Sequence, residues 1–93
     1  MSNLTHNVIA HLATFAKGYA NARTLAAHLS KFDAAIDTHG LRGNLDVITL
    51  PNGRLQPVLV FGANEQVSTE AIMLAHCGMP LYQHRKDGRA IGA

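Results

Sequence analysis

Residues 45–61 read LDVITLPNGRLQPVLVF, two apolar runs on either side of Pro51-Asn52-Gly53-Arg54. Asn-Gly between such runs is the strongest short-range signal for a β-hairpin, because both central residues of a type I′ turn need positive φ. A two-residue loop at Asn52-Gly53, or a four-residue loop around it, pairs Leu50 with Leu55, Ile48 with Pro57 and Asp46 with Leu59. That register puts Asp46, Ile48, Leu50, Leu55, Leu59 and Phe61 on one face and Leu45, Val47, Thr49, Gln56, Val58 and Val60 on the other. Neither set is polar, whereas an antiparallel ribbon with one solvated side alternates apolar and polar residues. Helices of the same chain can cover one side. The other, the Leu45–Val47–Thr49–Gln56–Val58–Val60 face or else the Ile48 face, is expected to meet a partner.

Upstream, Ser2 or Asn3 can cap a first helix whose apolar stripe is Leu4, Val8, Leu12, Phe15 and Tyr19, ended after Lys17 by Gly18. Asn21 can cap a second, with Leu25, Leu29, Phe32 and Ile36 on its stripe and Gly40 as its stop. Two amphipathic helices joined by about four residues predict an antiparallel αα-hairpin. Within it, residues 9–15 and 26–32 share the pattern Ala-His-Leu-x-x-Phe. The hairpin would set His11 and His28 at one height on the same side, a candidate ligand-binding pair. Downstream of the ribbon, Asn64 can cap a third helix ended by Gly78 and Pro80, and residues 81–84 form a short third strand, beside strand one or parallel to strand two. Pro57 lacks a donor, so strand two is an edge there or its nitrogen points away from strand one. Residues 85–93 read as a flexible tail. The expectation is one α+β domain over 1–93, ordered ααββαβ, with a helical hairpin in 1–40 and a ββαβ unit in 41–84.

Ninety-three residues make a single small domain. Only 15% are charged, against about 25% in typical domains. With no Trp, the core must rest on aliphatic side chains. Few charges and a modest core point to apolar surface shared with a partner, a homodimer being the simplest. A net charge of +2 argues for no polyanion. One cysteine excludes an internal disulfide. No run is long and apolar enough for a membrane span or a signal peptide, so a cytoplasmic location is the default expectation.

The chemistry-bearing residues do not assemble into a motif. Ser2, Ser30 and Ser68 lack a strand–elbow–helix context. Cys77 follows His76 on a helix, where neighbours point about 100° apart, and it is expected to be a buried structural thiol. His39, His76, Cys77 and His84 show no CxxC, HxxxH or HExxH spacing, so no metal or cofactor is expected. Asp33 and Asp37 fall one turn apart on a helix face expected to be solvated. Asp46 is the odd carboxylate, on an otherwise apolar strand face; it can cap a turn, pair with Arg42 or reach a ligand. Glu65 beside Gly62 would repel an anion from the third helix. Arg85, Lys86 and Arg89 could touch phosphates. The chain therefore reads as a non-enzymatic interaction protein, a regulator, adaptor or inhibitor that binds another protein and self-associates. A small-molecule or weakly catalytic site using His11, His28 and Asp46 is the alternative, and nucleic-acid binding the third reading.

Overall fold

A computed structural model describes residues 4–84 and 90–92. The order is α1 (His6–Leu12), α2 (Ala22–His39), β1 (Asn44–Thr49), β2 (Leu55–Phe61), α3 (Thr69–His76), β3 (Leu81–Gln83) and β4 (Ala90–Ile91). The α+β class and the ααββαβ order hold, with one short strand added at the end. The strands form one sheet in the order β1-β2-β3-β4. The β1–β2 and β3–β4 pairs are antiparallel; β2 and β3 run parallel, joined through α3.

Local signals set the helix limits. Asn21 Oδ1 accepts the Thr24 N–H at 2.9 Å, and Gly40 closes α2 at φ 61°. The other two helices start later than Ser2, Asn3 or Asn64 would place them. Thr5 caps α1 by accepting the Val8 N–H at 3.3 Å, and Ser68 caps α3 by accepting the Ala71 N–H at 3.2 Å. Asn64 is bypassed because residues 62–65 close a turn of their own, in which the Glu65 N–H donates to the Gly62 carbonyl at 3.2 Å.

The hairpin turn differs from the expected one by a residue. The Gly53 N–H donates to the Leu50 carbonyl and the Leu50 N–H to the Arg54 carbonyl, both at 2.8 Å, with Gly53 at φ 85°. Pro51 presets φ for the first central position of a type I turn, and a left-handed glycine then completes a three-residue loop. Thr49 therefore faces Leu55, Val47 faces Pro57 and Asp46 faces Val58. A one-residue slip sends a strand's side chains to the opposite face. Asp46 and Ile48 thus share a face with Gln56, Val58 and Val60; Leu45, Val47 and Thr49 share the other with Leu55, Leu59 and Phe61.

Each face is covered by its own chain. Leu12, Val8, Ile9 and Phe15 from the α1 region pack with Ile48, Leu50, Val58 and Tyr82. Phe32 and Ile36 of α2, with Ala71 and Ala75 of α3, pack with Leu59, Phe61 and Leu81. The first two helices thus serve different clusters instead of sharing one seam. The linker between them runs along β2: the Tyr19 N–H donates to the Leu55 carbonyl at 2.5 Å and the Leu55 N–H to the Tyr19 carbonyl at 2.9 Å. β2 is an interior strand, and Val58 and Leu59, on its two faces, are both 0% exposed. Burial on both sides accounts for its unbroken apolar reading. Of the expected tail, residues 85–89 and 93 lie outside the described residues, while Ile91 of β4 sits opposite Leu81 against the Phe61 cluster.

Among the described residues, the buried polar exception is Gln56, 3% exposed. Its Oε1 accepts the Gly18 N–H at 3.0 Å, and its Nε2 donates to the carbonyls of Pro57 at 2.9 Å and Gly78 at 3.3 Å. One amide thus ties the loop after α1, the central strand and the loop after α3.

Candidate functional site: the open edge of the sheet

The register fixes where the main chain of β1 points. Leu50 bonds Arg54, so Ile48–Gln56 and Asp46–Val58 are the hydrogen-bonded pairs, and Val47–Pro57 is not one. The nitrogen of Pro57 accordingly faces away from β1. By the same alternation, the N–H and C=O groups of Leu45, Val47 and Thr49 point outward, to the side where the sheet has no further strand among the described residues. The side chains agree: Asn44 and Thr49 are exposed, and Leu45, Asp46 and Val47 half-buried, beside a β2 that is almost wholly buried.

Asp46 guards this edge. Its Oδ1 accepts the N–H of its own neighbour Val47 at 2.9 Å, which occupies one outward donor. A charged residue and a consumed donor on a terminal strand both discourage unselective strand pairing. This contact, and neither a turn cap nor a pairing with Arg42, is the hydrogen bond that accounts for the carboxylate's position.

Two cavities flank the edge. One, of about 370 Å³, is lined by Leu4, Asn44, Leu45, Asp46, Val60, Gly62, Glu65 and His84. Its wall is pre-formed: Glu65 Oε1 accepts the Gly62 N–H at 2.5 Å, and Gln83 Nε2 donates to the carbonyls of Gly62 at 3.1 Å and Glu65 at 2.6 Å. The His84 ring stands edge-on to Tyr82 with centroids 5.3 Å apart. The second cavity, about 200 Å³, is lined by Leu29, Ser30, Asp33 and Leu45. Among the described residues, the lining of both carries carboxylates and no Lys or Arg.

The residues singled out from the sequence are redistributed. The expected contact face, Leu45, Val47, Thr49, Gln56, Val58 and Val60, does not exist as one surface. The slip in register puts the first three on one face and the last three on the other, and Gln56 and Val58 are buried by their own chain. His11 is exposed, edge-on to Phe15 at 5.9 Å, whereas His28 is half-buried and stacked on Tyr19 at 4.9 Å. They form no pair, because their helices serve different clusters. Of the three candidate ligand residues, Asp46 lines a sizeable cavity. Arg85, Lys86 and Arg89 lie outside the described residues. Asp33 and Asp37 are exposed.

Cys77 is exposed, contrary to a buried thiol, because α3 ends at His76 and leaves it as the C-cap. It lines a groove of about 220 Å³ with Ala35, His39, Glu70, Met73 and Leu74. Met73, at 62%, is the large apolar side chain with marked exposure among the described residues. No group of three His, Cys, Asp or Glu side chains among the described residues is placed to hold a metal ion. No helix among the described residues is long and apolar enough to cross a membrane. The open edge itself had one readable sign, a carboxylate inside an apolar strand. Comparison with protein-family models, curated proteins and solved structures finds no match to the chain.

Proposed function

We propose that this protein is a small non-enzymatic interaction module that binds another macromolecule by accepting an extended segment at the edge of β1. The observation that carries the reading is the row of outward main-chain groups on Leu45, Val47 and Thr49, backed by an almost wholly buried neighbouring strand. Adding a strand to such an edge draws affinity from main-chain hydrogen bonds and selectivity from alternate side chains. The reading keeps the role expected from the sequence but moves it from the face of the ribbon to its edge. Self-association through a face of the ribbon has lost its premise, since its own chain covers both faces.

Val47→Pro tests the proposal. The Val47 N–H takes no part in the β1–β2 ladder, so proline there leaves the sheet intact and blocks the edge. Partners captured from the native host by the wild-type chain should be lost with Val47→Pro and kept with Ala34→Glu on the exposed side of α2. Equal capture by Val47→Pro, with an unchanged melting temperature, would refute it.

A second reading rests on the 370 Å³ cavity, which gathers Asp46, Glu65 and His84 around apolar walls. A retained small molecule in native mass spectrometry would favour it.

A further inference from the structure

We infer that the segment accepted by β1 belongs to a different chain and carries Lys or Arg at alternate positions, with small apolar residues between them. This rests on the edge reading above and adds the chemistry of the occupant. A strand laid along β1 sends successive side chains to opposite faces of the sheet. On one face its side chains come beside Asp46 and the cavity that also holds Glu65 and His84. On the other they come beside Leu45, Val47 and the rim of the Leu29–Asp33 cavity. The first face offers carboxylates against apolar walls formed by Leu4 and Val60, a fit for a cation on an aliphatic stem. The second presents the apolar Leu45 and Val47 on the strand itself, with Ser30 and the Asp33 carboxylate in the cavity lining. The charge complement of β1 is therefore a strand that alternates basic and apolar residues.

Asp46 links charge to pairing. While its Oδ1 holds the Val47 N–H, that donor is not available to an added strand. A Lys or Arg opposite would draw the carboxylate outward through a charge-assisted bond and release the donor. An acidic or neutral strand has nothing with which to do so. The same contact disfavours a second copy. Antiparallel self-pairing about Asp46 sets two carboxylates directly opposite, and about Val47 sets them diagonally, roughly 7–8 Å apart. β1 brings an acid to the place where a base is needed.

The test uses the full chain and three labelled synthetic hexapeptides: Lys-Val-Lys-Val-Lys-Val, its Glu-Val counterpart, and the lysine peptide N-methylated on alternate residues so that the donors facing β1 are removed. Fluorescence anisotropy at two salt concentrations reads binding. The lysine peptide should bind, with the other two weaker by about tenfold or more. Asp46→Asn keeps an acceptor for the Val47 N–H and should weaken the lysine peptide by about tenfold at an unchanged melting temperature. Val47→Pro should abolish binding. If the Glu peptide binds as tightly as the lysine peptide and Val47→Pro removes both, the edge reading stands and the charge inference falls. If the N-methylated peptide binds as well as its parent, adsorption is electrostatic only and both fall; absence of binding by all three also removes both. A peptide-free dimer that Val47→Pro dissociates would make the occupant a second copy and overturn the inference.

Discussion

Val58→Asp should unfold the protein, whereas Thr49→Asp should leave it folded. A two-residue loop at Asn52-Gly53 would put the two positions on one face; the three-residue loop separates them. Val58 is 0% exposed, packed beneath α1 and directly opposite Asp46. Removing its apolar burial costs about 1.5–3 kcal/mol. Desolvating a carboxylate there costs several more, and Asp46 across the pair adds like-charge repulsion. The sum exceeds about 5 kcal/mol, against a total stability of roughly 5–14 kcal/mol at about 0.05–0.15 kcal/mol per residue. A domain of this size loses about 4–8 °C per kcal/mol, so the midpoint should fall by roughly 20–40 °C or the transition should vanish. Val58→Ala supplies the graded case: two methyl groups removed cost about 2 kcal/mol with the cavity left behind, a drop of about 8–16 °C. Thr49 is exposed on the edge strand, and Thr49→Asp should stay within about 0.5 kcal/mol. Thermal melts followed by far-ultraviolet circular dichroism measure all three. Comparable damage from Thr49→Asp, or a Val58→Asp protein melting within a few degrees of wild type, would refute the register and the shelter given by α1.

Three further outcomes follow from particular contacts. Gly18→Ala should be far more harmful than Gly40→Ala: both glycines have positive φ, but a Cβ at Gly18 would come within 2.8 Å of Arg54 Cβ and 2.9 Å of Leu50 Cδ1, while at Gly40 it meets open space. Urea titration should give about 1–2 kcal/mol for Gly40→Ala and clearly more for Gly18→Ala. Ser68→Ala should cost about 1 kcal/mol and Asn64→Ala little, since only Ser68 caps α3; the same titration decides between them. Burial raises the Tyr19 phenol above its usual 10.0, so the fold favours the protonated ring. Its contribution is fully present below pH 10 and is lost as pH climbs through the raised value, so urea midpoints should fall there and Tyr19→Phe should flatten that fall.

What the chain discloses by itself is uneven, and the reasons are physical. α2 was legible at both ends because Asn21 and Gly40 are strong local stops with nothing competing nearby. The hairpin was legible, but its register was not: Asn-Gly favours a two-residue loop, and Pro51 tips the choice to three. That single residue decided which side chains share a face, so the expected contact surface failed with it. α1 and α2 satisfy an αα-hairpin and a wrap around a sheet edge equally well on helical periodicity. The Tyr19–Leu55 bridge that selects the wrap is a main-chain contact between segments 36 residues apart (55 − 19), which no local pattern encodes. Beyond the carboxylate of Asp46, the open edge left no sign for the same reason, since which strand is terminal depends on where β3 docks.

The packing of α1 against strands that follow it by more than thirty residues has a bearing on biosynthesis. α1 leaves the ribosome before the sheet, yet Leu12 has no surface to rest on until Ile48, Val58 and Tyr82 have been made and paired. To find its seat, α1 therefore waits for the sheet. Until then its greasy stripe is in water, where a chaperone, or a neighbouring nascent chain, can reach it before the sheet does.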